Sequence, residues 1–266
     1  MRYNDSVAIG NAIYNMDQNV KVSPILKSLI EEVEKIAEEK DYRLKPMGSQ
    51  IKNTALDGSD YDFLLLTEIG SKSPKKVLND VEKDFSPLSA FQGNHSIIVK
   101  SNGIQVDIVP GERTKDSNLY KIPDKRMDDW IVRGQDCFIE SFLEENNRKN
   151  NRLQTVTKML KLWKDSHPNF SIPSLAIEKI VFDTLSNYKY FTITHVKGTL
   201  VCMKEFSERI KKPIKHPDHG PQLNKLNDNE KIICSKTLKR NLESIQERNQ
   251  ENWVNVFGDA FGVYLN

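Results

Sequence analysis

The stretch from Gly48 to Phe63 reads Gly-Ser-Gln-Ile-Lys-Asn-Thr-Ala-Leu-Asp-Gly-Ser-Asp-Tyr-Asp-Phe, and the apolar run Leu64 to Leu66 follows it. A Gly-Ser pair thus precedes two carboxylates, Asp60 and Asp62. Successive side chains on a β-strand alternate between the faces of the sheet, so residues two apart point the same way. We therefore expect Asp60 and Asp62 to lie side by side, where they repel each other unless a hard divalent cation such as Mg²⁺ lies between them.

A third carboxylate, Asp107, interrupts the β-branched run from Ile104 to Pro110. On a strand paired beside the first, Asp107 would complete a cluster of three carboxylates able to hold two metal ions. Two metal ions stabilise the attacking and leaving oxygens in phosphoryl and nucleotidyl transfer. The Gly48-Ser49 turn would supply the other half of such a site, because backbone N–H groups at a helix N-terminus bind phosphate oxygens.

These motifs resemble those of the polymerase-β nucleotidyltransferase superfamily. The order Gly-Ser-x4-Thr-Ala-Leu-x-Gly-Ser-Asp-x-Asp, followed by Val-Asp-x-Val-Pro, is most similar to its oligoadenylate synthetase and CD-NTase branch. The resemblance implies an α+β fold, with a small mixed-sheet core of polymerase-β type, a C-terminal helical domain and an active site in the cleft between them. It also implies that Asp60, Asp62 and Asp107 are catalytic and bind two Mg²⁺ ions, for which Mn²⁺ can substitute, and that Gly48 and Ser49 bind nucleotide phosphates.

The second half of the chain extends the resemblance. Lys161-Leu-Trp-Lys164 followed by the segment 173–178 is similar to paired helices of the C-terminal domain in that branch. The resemblance implies that Lys161 and Ser174 contact the phosphates of the donor nucleotide. A lysine is a point charge suited to phosphate, and a hydroxyl at a helix start either binds an anion or only caps the helix.

We predict two domains, a nucleotidyltransferase core over residues 1–135 and a helical domain over residues 136–266. Ser23-Pro24 predicts a capped helix that ends near residue 40 and bridges the two, whereas residues 1–20 fit a short helix or an arm. Asn102-Gly103 between two apolar runs predicts a hairpin that places Asp107 on a strand. Strands are also predicted at 42–47, from 58, at 95–100 and at 103–109, and helices at 50–56, from 73, at 151–166, from 173, at 195–206 and at 241–250.

Three further segments carry weaker signals. The polar stretch after Pro110-Gly111, up to residue 126, fits either a loop that brings basic side chains near a triphosphate or a solvated connection. His216 and His219 flank Pro217-Asp218 and form only a weak candidate for a metal site. The tail repeats large aromatic residues every four positions, which predicts a ridge used for packing, at Trp253, Phe257 and Phe261.

Composition limits the class of protein. The 266 residues have a formal net charge of +2, which gives no case for a surface coated with basic residues. The three cysteines are far apart and are expected to be reduced core residues. The chain shows neither the apolar region of a signal peptide nor a run long enough to cross a membrane, so we expect a cytoplasmic protein without a membrane partner.

The resemblance implies a Mg²⁺-dependent enzyme that joins NTPs into a cyclic or linear oligonucleotide second messenger and releases pyrophosphate, in bacterial antiviral defence. Its expected partners are NTP substrates and an effector or regulatory protein encoded nearby. One alternative is addition of nucleotides to an RNA 3′ end such as that of tRNA, which would require an extended basic surface. The other is a catalytically silent module that only binds nucleotides.

Overall fold

The computed structural model describes residues 3–18, 23–56, 58–115, 119–134, 136–188, 194–217, 222–224, 226–246 and 249–265. The chain divides into two compact units. The sheet unit comprises residues 21–140, and the helical unit comprises residues 1–20 with residues 141–266. The division differs from the predicted one, because residues 1–20 belong with the helices.

The sheet unit is built on a mixed sheet of seven strands. Five strands lie in the order β1-β2-β5-β4-β3, and β6 and β7 extend the far end of β5. Only the central pair β2 and β5 is parallel, and the other pairs are antiparallel. The strands are β1 (Arg43–Met47), β2 (Tyr61–Leu66), β3 (Phe91–Gln92), β4 (Ile97–Ser101), β5 (Ile104–Arg113), β6 (Tyr120–Asp124) and β7 (Asp129–Arg133).

One face of this sheet, here the packed face, carries the core of the unit. Alternation along β2 and β5 puts their large apolar side chains on this face, where two helices cover them. The helices are α2 (Pro24–Glu39) and α4 (Pro74–Asp84), and both start as predicted. Their N-cap side chains, Ser23 and Ser73, each accept a hydrogen bond from a backbone N–H three residues on.

The other face, here the acidic face, carries Asp62 and Asp107 together with a small apolar cluster. Met47, Leu64 and Tyr120 are buried in that cluster. The short helix α3 (Gly48–Ile51) connects β1 to the segment that precedes β2. It is shorter than predicted, because Asn53 adopts a left-handed conformation and turns the chain.

The segment after Pro110 was expected to be a loop, and this prediction is wrong. Strand β5 continues through Arg113 and pairs with β6, which forms a hairpin with β7. Pro110 is tolerated because the pairing between β4 and β5 ends at Ile108, so no ladder hydrogen bond to β4 is needed there. Strand β6 was not predicted because it contains Pro123, and a proline within a run argues against a strand.

The helical unit surrounds one buried helix. Residues 153–163 of α6 are all buried, including its polar side chains. Asn146 provides a hydrogen-bond acceptor for a backbone N–H in the first turn of α6: its Oδ1 accepts from the backbone N–H of Gln154 at 3.0 Å. The described α-helices after β7 are α5 (Asp136–Arg148), α6 (Arg152–Asp165), α7 (Ser174–Ser186), α8 (His195–Arg209), α9 (Asp228–Gln246), α10 (Gln250–Phe257) and α11 (Asp259–Gly262).

The N-terminal helix α1 (Tyr3–Gln18) is part of this core rather than an arm. It contacts α6, α8 and α10, and its apolar side chains at Ile9, Ile13 and Met16 are buried. The predicted aromatic ridge of the tail is confirmed as a packing feature: Trp253, Phe257 and Phe261 are buried, with ring centroids 5.2 to 6.0 Å apart.

The predicted α+β class is confirmed by this combination of a mixed sheet and a set of helices. Among the described residues, no helix is both long enough and apolar enough to span a membrane.

Candidate active site

The pairing of β2 with β5 brings two predicted carboxylates together. Asp62 and Asp107 are direct register partners on these parallel strands. Neighbouring strands lie about 4.8 Å apart, so both side chains rise from adjacent points of the acidic face. These two residues belong to a row of directly paired residues that runs across the sheet. The row continues to Met47 beside Asp62 and to Ile98 beside Asp107.

Asp60 lies near this pair. It is not on the strand, however, where the sequence had predicted it. Strand β2 begins at Tyr61, and Asp60 is an exposed residue just before it. A tight turn fixes its approach: the Oγ of Ser59 accepts from the backbone N–H of Leu56 at 2.9 Å, and Gly58 has a φ of +78°. The turn therefore delivers Asp60 to the same end of the sheet as Asp62.

The electrostatics of Asp107 show that negative charge accumulates here. Burial raises the pKa of Asp107 above its ordinary value, and the negative charge of Asp60 raises it further. The hydrogen bond that the Nε2 of Gln105 donates to Asp107 Oδ1, at 2.9 Å, and the charge of Lys100 oppose this rise. The carboxylate is therefore held in a position that favours either a proton or a cation.

The described residues contain no group of three His, Cys, Asp or Glu side chains that converge closely enough to hold a metal ion. The acidic pair nevertheless suits a hard cation, because its donors are carboxylate oxygens on adjacent strands and Asp60 lies within electrostatic reach.

Gly48 forms the wall beside Asp62. Its φ is +69°, in the left-handed region that favours glycine. A Cβ atom at this position would overlap the Oδ2 of Asp62. The absence of a side chain thus lets the carboxylate lie directly against the backbone of the Gly48-Ser49 turn.

Thr54 holds that turn in place. It is fully buried, and its backbone N–H donates to the carbonyl of Ser49 at 2.9 Å. A backbone hydrogen bond therefore stabilises the connection from β1 to β2, and the Ser49 side chain in it is half-buried.

The predicted phosphate ligands of the helical unit have different surroundings. Lys161 is buried, and its Nζ lies 2.8 Å from Oε1 of Glu178, which is buried as well. Ser174 is the first residue of α7 but not its N-cap, a position that Pro173 occupies. The Oγ of Ser174 accepts instead from Nζ of Lys164 at 3.4 Å. Lys164, rather than Lys161, is thus the lysine in contact with Ser174.

The remaining candidates do not add to the site. Arg113 of β5 donates to the hydroxyl of Tyr120 at 3.2 Å and Lys121 of β6 lies over the ring of Trp130, so these two basic side chains have partners in the sheet unit. His219 lies outside the described residues. Of the cysteines, Cys202 and Cys234 are buried as predicted, whereas Cys137 is exposed.

Gln105 and Lys100 are site residues that sequence reasoning missed. Both lie on the acidic face, because Lys100 is the register partner of Gln105 and Gln105 is two residues from Asp107. Strand alternation alone is sufficient to place Gln105 on the same face as Asp107. The position of Lys100 on β4 can be predicted only when the register of the β4–β5 hairpin is known.

We predict that Asp107→Asn makes the metal-free protein more stable at neutral pH. The folded-state pKa of Asp107 is raised, so stability is lost as pH rises through the interval between its unfolded and folded pKa values. Asparagine keeps the acceptor for Gln105 and removes the charge. Thermal melts in EDTA at several pH values should show a gain at pH 7 that shrinks as pH falls toward the ordinary range of an aspartate. A variant no more stable than the parent at pH 7 would contradict the assignment.

We predict that Lys161→Met destabilises the protein by about 3–5 kcal/mol, because it leaves the buried carboxylate of Glu178 without its cation. The double variant Lys161→Met with Glu178→Leu should recover most of this loss in urea unfolding. Lys164→Met is the matched control, since its side chain is partly exposed and its loss should change the free energy of unfolding far less. A stable Lys161→Met protein would show that the ion pair is dispensable.

No protein-family model matches the sequence. No curated protein matches it either.

Solved structures do resemble the chain. The CD-NTase CdnG of Bradyrhizobium diazoefficiens in complex with GTP aligns over 98% of this chain and 97% of its own, with 14% identity and a TM-score of 0.76. The STING-associated CdnE c-di-GMP synthase of Capnocytophaga granulosa aligns over 94% and 88%, with 20% identity and a TM-score of 0.71. The CdnC:HORMA-deltaN complex of E. coli MS115-1 aligns over 88% and 89%, with 17% identity and a TM-score of 0.65. Across nearly its whole length, the chain therefore has the fold of the CD-NTases.

Proposed function

We propose that this protein is a Mg²⁺-dependent nucleotidyltransferase that joins NTPs into a cyclic or linear oligonucleotide second messenger and releases pyrophosphate. The observation that carries the proposal is the register pairing of Asp62 with Asp107 beside Gly48, whose missing side chain leaves room for the Asp62 carboxylate. The fold shared with CdnG, CdnC and CdnE supports it.

Asp60, Asp62 and Asp107 would hold the divalent cations, which are two Mg²⁺ ions in this proposal, with Mn²⁺ able to replace them. Bound there, the cations would supply positive charge to the reacting phosphate and to the departing pyrophosphate. The fit rests on two features. All the donors are carboxylate oxygens. Burial and the nearby charge of Asp60 make the negative charge of Asp107 unfavourable, so a cation there would be stabilising.

The chain's own groups would perform the remaining work. The acceptor's ribose hydroxyl oxygen forms a bond to the α-phosphorus of the donor, the bond from that phosphorus to the bridging oxygen breaks, and pyrophosphate leaves. Asp107 would take the hydroxyl proton. Backbone N–H groups of the Gly48-Ser49 turn would bind the β and γ phosphates.

Ser174 is proposed as a phosphate contact of the helical unit, with Lys164 as its cation. Lys161 was expected to bind phosphate directly through its resemblance to family lysines. Its burial against Glu178 supports a positioning role instead, in which the ion pair joins α6 to α7 and so fixes the start of α7.

The solved structures of the neighbours support the proposed substrates and partners. CdnG was determined with GTP and CdnC with ATP, which supports NTP substrates here. CdnC also forms a complex with a HORMA protein, which supports a regulatory protein as partner. A cytoplasmic location and a role in bacterial antiviral defence complete the proposal.

The test is product formation from purified protein with Mg²⁺ or Mn²⁺ and labelled NTPs and dNTPs, supplied singly and mixed. We expect a phosphatase-resistant oligonucleotide, identified by mass spectrometry, that Asp60→Ala, Asp62→Ala and Asp107→Ala each reduce by more than about a hundredfold. Glu68→Ala is the control, because Glu68 is an exposed acidic residue of the sheet unit away from the acidic pair.

Two results would redirect the proposal. Elongation of tRNA 3′ ends without product from nucleotides alone would establish the RNA-directed alternative. NTP binding by calorimetry without any product, with or without added RNA, would establish a module that only binds nucleotides.

We predict that Gly48→Ala abolishes transfer, because the added methyl group displaces the Asp62 carboxylate. Gly103→Ala is the matched control: Gly103 also has a positive φ, +79°, but its Cβ would meet nothing within 4 Å. Both variants should lose about 1 kcal/mol of stability from backbone strain, measured by urea unfolding. Only Gly48→Ala should lose activity at a temperature where both are folded, and equal activity in the two would contradict this role for Gly48.

A further inference from the structure

The acidic face carries an exposed aromatic side chain on the same row as the carboxylates. Met47, Asp62, Asp107, Ile98 and Phe91 are successive register partners across β1, β2, β5, β4 and β3. Directly paired residues point to the same side of a sheet, so all five side chains lie on the acidic face. Phe91 is 42% exposed, so its ring is accessible to a ligand.

The spacing of this row matches the dimensions of a nucleoside. Phe91 is two strands from Asp107, a separation of about 10 Å between Cα atoms at the usual strand spacing. Ile98 is half-buried and lies between them. A ribose placed over Ile98 would present a hydroxyl to Asp107 and extend its base toward the Phe91 ring.

Charge around the aromatic ring points to the same kind of ligand. The Nζ of Lys100 lies 5.6 Å from the centroid of the Phe91 ring, and its charge also lowers the pKa of Asp107. Lys100 is exposed, so its ammonium group can contact the acceptor's phosphates or a carbonyl oxygen of its base. The side of Asp107 that faces β3 thus combines an apolar surface, an aromatic ring and a cation.

The opposite side of the row is already assigned. Gly48 lies next to β1, across Asp62 from Asp107, and the proposed donor phosphates occupy that side. The β4–β3 side of Asp107 is then open to a second nucleotide. We infer that Phe91 and Lys100 form the acceptor subsite, in which Phe91 stacks the base of the nucleotide whose ribose hydroxyl attacks the donor.

This inference rests on the proposed function, and it identifies where the acceptor binds. Stacking on an aromatic ring tolerates every base, so the subsite provides affinity and orientation for any nucleoside. Selection of one base over another would come from polar groups at its edge, and Lys100 is one such group beside the Phe91 ring.

The kinetic test separates the acceptor from the donor. A labelled NTP serves as donor, and adenosine and guanosine 5′-(α,β-methylene)triphosphates serve as acceptors, because they present a ribose hydroxyl but cannot donate their α-phosphate. Phe91→Ala should raise the KM for the acceptor about tenfold or more without changing the KM for the donor. Phe91→Trp should restore the acceptor KM, and Val132→Ala, an exposed apolar residue of β7, should change neither constant.

A binding measurement keeps the test independent of turnover. In protein labelled with 4-fluorophenylalanine, the ¹⁹F resonance of Phe91 is assigned by its loss in Phe91→Tyr. Addition of either methylene analogue should shift that resonance in the wild type and in Asp62→Asn, which keeps Phe91 and Lys100 but lacks one of the carboxylates proposed to hold the cations.

The outcomes distinguish the two proposals. A shifted resonance without any product would leave the Phe91 subsite standing and overturn the nucleotidyltransferase function. Product formation with an unchanged acceptor KM in Phe91→Ala, or with no shift of the Phe91 resonance, would overturn the subsite and leave the function standing.

Discussion

The parallel pairing of β2 with β5 is the constraint on which the site depends. A slip of one residue would move Asp107 to the opposite face of the sheet, because side chains alternate along a strand. The packed face prevents that slip: Phe63, Leu65, Val106 and Ile108 are at most 1% exposed beneath α2 and α4. Burial of such a side chain stabilises the fold by about 1.5–3 kcal/mol. The apolar core thus holds two carboxylates beside each other although they repel.

The acidic face is arranged asymmetrically about this pair. On the β1 side, Gly48 leaves room for the Asp62 carboxylate against bare backbone. On the β3 side, Gln105 and Lys100 moderate the charge of Asp107, and Phe91 extends the face with an exposed ring. In the proposed function the first side binds phosphate and the second binds a nucleoside, which is the polarity that a transfer between two nucleotides requires. The cations proposed at the centre would balance the charge that the sheet concentrates there.

Sequence patterns predicted the parts of this arrangement that depend on local chemistry. The Ser23-Pro24 cap, the Asn102-Gly103 hairpin and the apolar runs that predict the strands of Asp62 and Asp107 each determine structure within a few residues, and all are confirmed. Partners distant in sequence were not predictable. Glu178 neutralises Lys161 from another helix, α1 completes the core of the helical unit, and Phe91 joins the row only through pairing of β3 with β4. Strand β6 was missed because Pro123 masks its pattern.

The central claim is that the Asp62–Asp107 pair binds the catalytic cations. Anomalous diffraction from crystals grown with Mn²⁺ and a non-reactive NTP analogue tests it most directly, since it locates the metal without any assumption about the product. The account predicts a manganese peak within coordination distance of carboxylate oxygens from both Asp62 and Asp107, and its loss in Asp62→Asn. A bound nucleotide whose manganese contacts neither carboxylate, or a peak unchanged in Asp62→Asn, would contradict it.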